Sequence, residues 1–191
     1  MMPTVTAPAP LPDILAPALD VVFCGINPGM RAAASGHHFM GRSNRFWKTV
    51  HLCGFTPDLI DPLDDRRILD HRCGLTTVVE RPTARADELL GDEFVRSAET
   101  LRMKIEQFRP RYLAFLGKPA YQAITGQPKV GWGKQPEKFG GAMVWLLPNP
   151  SGLNRGFNQD ALVQAYRELR DALNHANFDA VLKNPGLKPA A

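Results

Sequence analysis

Four short apolar runs punctuate the chain. Leu19–Cys24 stops at Gly25, Tyr112–Leu116 stops at Gly117, and Met143–Leu147 stops at Pro148; Gly74–Val79 is a weaker fourth. The first three are nearly continuous apolar stretches rather than alternating ones, which predicts strands buried on both faces, as in a parallel sheet. Helical periodicity fills the intervals. Asn44–Leu52 carries Phe46, Trp47 and Val50 and ends near Gly54. Ala98–Phe108 places Leu101, Ile105 and Phe108 on one face, and Ala161–Leu173 repeats the pattern with Leu162, Ala165, Tyr166, Leu169 and Leu173. Strands alternating with helices predict an α/β fold with helices on both faces of a parallel sheet. The Pro/Ala/Thr-rich residues 1–12 read as a flexible N-terminal arm, residues 13–178 as one domain, and 179–191 as a C-terminal tail.

Ligands of such folds bind outside the carboxyl ends of the strands. The loops at 25–45 and 148–156 qualify, and charge singles out the same two regions. Residues 21–57 hold Arg31, Arg42, Arg45 and Lys48 and no acid, while residues 107–158 hold seven cations against Glu137 alone. The stretch 58–106 between them is acidic, with twelve acids and eight cations. A net charge of +4 distributed in this way suits a polyanion, from which Lys and Arg displace condensed counterions.

The rest of the composition narrows the class. At 44% hydrophobic and 22% charged residues the chain reads as soluble and globular. No apolar run reaches the roughly 18 residues of a membrane span, and no secretory signal is recognisable at the N-terminus. Cys24, Cys53 and Cys73 are scattered without C-x-x-C spacing, which predicts reduced thiols and a cytoplasmic protein, nucleoid-associated if bacterial. No metal or organic cofactor is expected: His37 and His38 are adjacent, but no acid lies near them in sequence.

Three segments can carry chemistry. In Gly25-Ile26-Asn27-Pro28-Gly29 the glycines are free to take positive φ, and Pro28 pushes Asn27 into an extended conformation that projects its amide towards the cleft. Asn27 either caps its own turn or serves the cleft. Ser43-Asn44-Arg45-Phe46-Trp47 reads as a capped helix start with cations, and Phe39 lies near the mouth of the first loop. In Pro148-Asn149-Pro150-Ser151-Gly152-Leu153-Asn154-Arg155 an apolar Leu stands where solvent is expected. Leu153 either folds back onto the domain or projects as a wedge of the kind that unstacks DNA.

These residues, with Gly54-Phe55-Thr56, Cys73-Gly74-Leu75-Thr76, Arg81-Pro82-Thr83, Leu116-Gly117-Lys118 and Trp132-Gly133-Lys134-Gln135, resemble the mismatch-specific uracil/thymine-DNA glycosylases. The likeness runs from about Asp13 to His175 and rests on the order of the whole set rather than on one motif. It implies a three-layer α/β/α sandwich on a four-stranded parallel sheet. It also implies a monofunctional hydrolase of the N-glycosidic bond, acting as a monomer on G·U or G·T mispairs in double-stranded DNA.

By that resemblance Asn27 positions the attacking water, Phe39 stacks on the flipped base, and Ile26 and Asn149 contact it. Leu153 fills the vacated duplex, and Ser151, Gly152 and Arg155 touch the orphan guanine or the flanking phosphates. Arg45 and Lys48 are further DNA contacts. The related uracil-specific enzymes carry Asp and His where Asn27 and Asn149 stand, so slow turnover is expected. Asp87, after the Arg-Pro-Thr loop, is a candidate auxiliary acid or else a mere helix-start residue. Lys118 and Lys134 could form a Schiff base, but the resemblance and their expected surface positions imply phosphate contact or a structural role instead. Two other readings stay open: a non-catalytic nucleotide- or damaged-DNA-binding module, and a hydrolase of free nucleosides. The chain has neither G-x-x-x-x-G-K-[ST] nor G-x-G-x-x-G to support the first.

Overall fold

The computed structural model describes residues 10–183, with side chains to residue 176. Strands β1 (Val21–Gly25), β2 (Cys73–Thr77), β3 (Tyr112–Leu116), β4 (Gly133–Phe139) and β5 (Ala142–Leu147) form one sheet in the order β2-β1-β3-β5-β4. The four expected strands are β1, β2, β3 and β5, and they run parallel. The sheet nevertheless has five strands and is mixed, because β4 pairs antiparallel with β5 at one edge. Only Gln135 and Phe139 are buried in β4, and Pro136 sits in its irregular register between Lys134 and Lys138. Proline is tolerated at an edge, where its missing N–H removes no ladder bond.

Helices α1 (Met30–Ser35), α2 (Phe46–Leu52), α3 (Gly91–Phe108), α4 (Lys118–Thr125) and α5 (Gln159–Lys183) complete the framework. Phe46, Trp47, Leu162, Tyr166 and Leu169 of α2 and α5 pack with Phe23 on one sheet face. Leu101, Ile105 and Tyr121 of α3 and α4 pack with Val22, Leu113 and Phe115 on the other. Alternate residues of each central strand thus feed opposite cores, which is why these strands show no polar positions. The layers are helix, sheet, helix.

The chain's start is tied to this frame. Ile14 exchanges both backbone hydrogen bonds with Leu75 at the β2 edge, at 2.9 and 2.8 Å. Leu11, assigned to the arm, is buried. Residues 1–9 of the arm and 184–191 of the tail lie outside the described residues, and the tail's residues 179–183 continue α5. The three cysteines are free and buried, and burial holds all their thiols protonated, that of Cys53 with its pKa pushed up to about 11. No described helix is long and apolar enough to cross a membrane.

Candidate active site

A cavity of about 120 Å³ opens at the carboxyl ends of the parallel strands, lined by Gly25 at the end of β1 and Ile26 after it, Thr77 of β2, Leu116 of β3 and Asn149 after β5. Pockets for drug-sized ligands run to about 300–1,000 Å³, so this one suits a single flat ring. Asn27, Phe39, Ser151 and Leu153 also line it. The first loop and the last are therefore two walls of one site.

The orientation of the Asn27 amide is fixed by its partners. Its Nδ2 donates to the Arg81 carbonyl at 2.8 Å and to Thr83 Oγ1 at 2.8 Å. A carbonyl only accepts, so the atom facing Arg81 must be the NH₂ group. Oδ1 is then the unspent end of the amide, an acceptor at the cavity wall. The loop that supplies these partners is itself clamped. Thr83 N–H donates to the Pro28 carbonyl at 3.1 Å, and the Arg81 guanidinium grips Glu93 through two 2.9 Å bonds. That grip holds the Glu93 carboxyl down at about 2. The turn itself uses no positive φ at Gly25 or Gly29; Gly29 is extended (φ -71°, ψ 158°) and caps α1.

Asn149 is fixed in the opposite sense. Its Oδ1 accepts the Ser151 N–H at 2.9 Å, and a backbone N–H can only donate. Nδ2 is then the free end, a donor. The same loop is tied by Asn154 Nδ2 to the Asn149 carbonyl at 2.9 Å and by Leu153 N–H to Ser151 Oγ at 3.2 Å. Leu153 stands 67% exposed at its tip, so it projects instead of folding back. Gly152 lies against Ser43 of the first loop: a Cβ there would fall 2.7 Å from the Ser43 carbonyl oxygen.

Phe39 rests on Phe46 with ring centroids 3.9 Å apart and planes at 21°, while lining the cavity. Its backbone is left-handed at φ 55°, unusual for a bulky side chain and costing about 1–3 kcal/mol. His38 before it is buried: Nε2 donates to the Pro12 carbonyl at 2.7 Å, and its backbone N–H donates to Asp65 Oδ2 at 2.9 Å. Burial lowers its pKa, so the imidazole in the wall is neutral. No Asp or Glu lines the cavity.

Several expected residues lie elsewhere. Arg45 was expected on DNA, but its guanidinium is spent within the protein, on the carbonyls of Phe157 (2.6 Å), Ser151 (2.9 Å), Asn154 (2.9 Å) and Pro150 (3.4 Å). It shapes the Leu153 loop. Asp87 is exposed, outside the cavity lining, and held bidentately by Arg85 at 2.6 and 3.0 Å, which lowers its carboxyl pKa. The structure thus pairs it with Arg85, which itself lines the cavity, and leaves the carboxylate outside the lining. Lys118 donates to the Val130 carbonyl at 2.7 Å beneath the Trp132 ring and does not line the cavity. Lys48 and Arg155 are exposed. Among the described residues no group of three His, Cys, Asp or Glu side chains could hold a metal ion. Sequence reasoning assigned no role to Thr83, 56 residues from Asn27, or to Leu11 and His38 as wall residues.

Comparison with known proteins bears on the fold and the family. The solution structure of a candidate uracil DNA glycosylase from Methanosarcina acetivorans superposes with a TM-score of 0.58. The match covers 85% of this chain and 98% of that one at 19% sequence identity, a likeness of fold. The family model of the uracil DNA glycosylase superfamily matches residues 12–170. The chain belongs to the uracil DNA glycosylase superfamily, and with it to the DNA glycosylases.

Proposed function

We propose that the protein is a monofunctional glycosylase that removes uracil, and more slowly thymine or exocyclic-adduct bases, mispaired with guanine in duplex DNA. The observation that carries this is the opposed fixing of two amides around a cavity without a carboxylate. Asn27 offers only an acceptor, suited to orienting a water at the sugar C1′. Asn149 offers only a donor, suited to a carbonyl oxygen of the departing base. The C1′–N1 bond breaks with its electron pair passing to the base. The water oxygen bonds to C1′, and its proton leaves to solvent. No lysine amine lines the cavity, which favours water over a Schiff base as nucleophile. Phe39 stacks on the extruded ring, and Leu153 enters the space it left.

The test uses end-labelled duplexes containing G·U, A·U, G·T or an adduct, followed by alkali. Strand cleavage ordered G·U above G·T and A·U is expected. Tight binding of every duplex with no alkali-labile product would instead identify a non-catalytic damaged-DNA-binding module, and release from free nucleosides alone would identify a nucleoside hydrolase.

A further inference from the structure

Beside the base cavity, and sharing Met40 with it, lies an open groove of about 600 Å³ whose lining includes Arg31 of α1, Arg42 and Pro62. We infer that this groove carries the phosphodiester backbone of the strand whose base is extruded. The inference rests on the glycosylase reading and extends it to a surface outside the cavity.

Three observations converge. First, both arginines are exposed and neither has a hydrogen bond or ion pair among the described residues. That sets them apart from most cations of the acidic stretch 58–106 and from Arg45 in their own basic segment. Seven of the eight in residues 58–106 sit in ion pairs, and Arg45 is consumed by loop carbonyls. Second, no Asp or Glu is among the residues lining the groove, and Asp61, before Pro62, has Oδ1 engaged by the Leu63 N–H at 2.9 Å. Third, the groove is continuous with the wedge. Arg42 adjoins Ser43, which Gly152 touches, and Leu153 follows. A wedge filling the place of an extruded base must have that nucleotide's flanking phosphates beside it. On the first-loop side the surface they would cross is Ser43, Arg42 and Arg31. Two guanidiniums without protein partners there are free to take the place of condensed counterions.

The full-length protein is tested as wild type, Arg31→Gln, Arg42→Gln and the double variant. Arg109→Gln, at the far end of α3 beside the amino end of β3, is the control. Affinity for a fluorescent G·U duplex is measured between 50 and 200 mM salt. Each groove variant should flatten the slope of log K against log salt by about 0.9, the double by about twice that. The double variant should raise Kd on the order of tenfold, with melting temperature and single-turnover excision at saturating protein unchanged. Single uncharged methylphosphonate linkages beside the target uracil should weaken wild type but not weaken the double variant further. Slopes and Kd matching Arg109→Gln would overturn the inference. So would equal methylphosphonate losses in both proteins, or losses confined to the complementary strand. A wild type that binds with the expected slope but never excises would sink the glycosylase reading and leave the groove standing.

Discussion

Replacing Asn27 separates its structural duty from its chemical one. In Asn27→Ala two donated bonds vanish, those to the Arg81 carbonyl and Thr83 Oγ1. At about 0.5–1.5 kcal/mol each, the loss is about 1–3 kcal/mol. Against a typical domain stability of about 5–15 kcal/mol the variant stays folded. It should melt about 2–12 °C lower, taking about 2–4 °C per kcal/mol at this size. Loss of the water-directing acceptor should slow single-turnover excision by about 10²–10³-fold, the effect of removing one aligned electrostatic element. Asn27→Asp is more discriminating. One carboxyl oxygen must face the Arg81 carbonyl, where only a protonated oxygen can donate. That arrangement favours the neutral acid and raises the carboxyl above its ordinary value of about 3.9. The Asp variant should therefore behave like Ala at low pH and gain rate as pH rises and the carboxyl ionises, while wild type stays flat through the same range. The assay is single-turnover excision of uracil from a G·U duplex across pH, with thermal melts at each point. An Asp variant equal to wild type at every pH would refute the assignment of Oδ1 to the attacking water.

Gly152→Ala places a methyl group within 2.7 Å of the Ser43 carbonyl, which must move the wedge loop. The cost of about 1–3 kcal/mol should lower kcat/KM from about fivefold to about a hundredfold. Ser43→Gly removes the Ser43 Cβ and Oγ that the methyl also meets but leaves that carbonyl in place, so rescue should be partial, and full rescue would refute a backbone clash. Asn149→Ala removes the free donor and also the Asx-type bond to Ser151 N–H, so both kcat and loop order should suffer. Asn149→Asp keeps the bond but loses the donor, and it should match Ala in excision while keeping the wild-type melting temperature. His38 is buried neutral with its pKa below the ordinary 6.5. Below pH 6.5 the unfolded chain takes up this proton and the folded one resists, so this stability is present above 6.5 and lost as pH falls. The melting temperature should drop more for wild type than for His38→Gln between pH 7.5 and 5.5, and parallel drops would refute it.

What the sequence revealed was set by burial. β1, β3 and β5 are apolar on both faces, so each announced itself as a run stopped by Gly or Pro, and β2 did so more faintly through Gly74, Thr76 and Thr77. β4 was invisible because an edge strand of Gly-Lys-Gln-Pro-Glu-Lys-Phe buries one side only and reads as loop. α1 hid within the first loop, six residues with Ala32 alone buried. α3 begins at Gly91, earlier than the expected start at Ala98, because its first two turns expose Asp92, Val95 and Arg96. At the site, Asn27, Phe39, Asn149, Ser151 and Leu153 do meet at one cavity. Arg45 could not be assigned from sequence, since an arginine that feeds four carbonyls looks the same as one awaiting phosphate. Thr83 was equally hidden, as its bond to Asn27 depends on how the chain returns 56 residues later.

Under the proposed function, the two amides would tie mispair preference to slow chemistry. A cavity without a carboxylate forgoes stabilisation of the sugar cation, and a neutral donor at Asn149 stabilises a departing anion less than a charged one would. Each missing element is worth about 2.7–4 kcal/mol of barrier. When the chemical step is that slow, the extruded base returns to the stack many times before it is lost, and flipping becomes a pre-equilibrium. Every 1.36 kcal/mol of pair stability then appears as a full tenfold in rate. Selectivity for the more easily opened mispair needs no contact that reads guanine. If wild type already works in this regime, slowing the chemistry further with Asn27→Ala must lower G·U and A·U excision by the same factor and leave their ratio unchanged. A ratio that widens in the variant would mean that wild type is committed to cleavage once the base is out, and that its discrimination comes from contacts to the opposite strand.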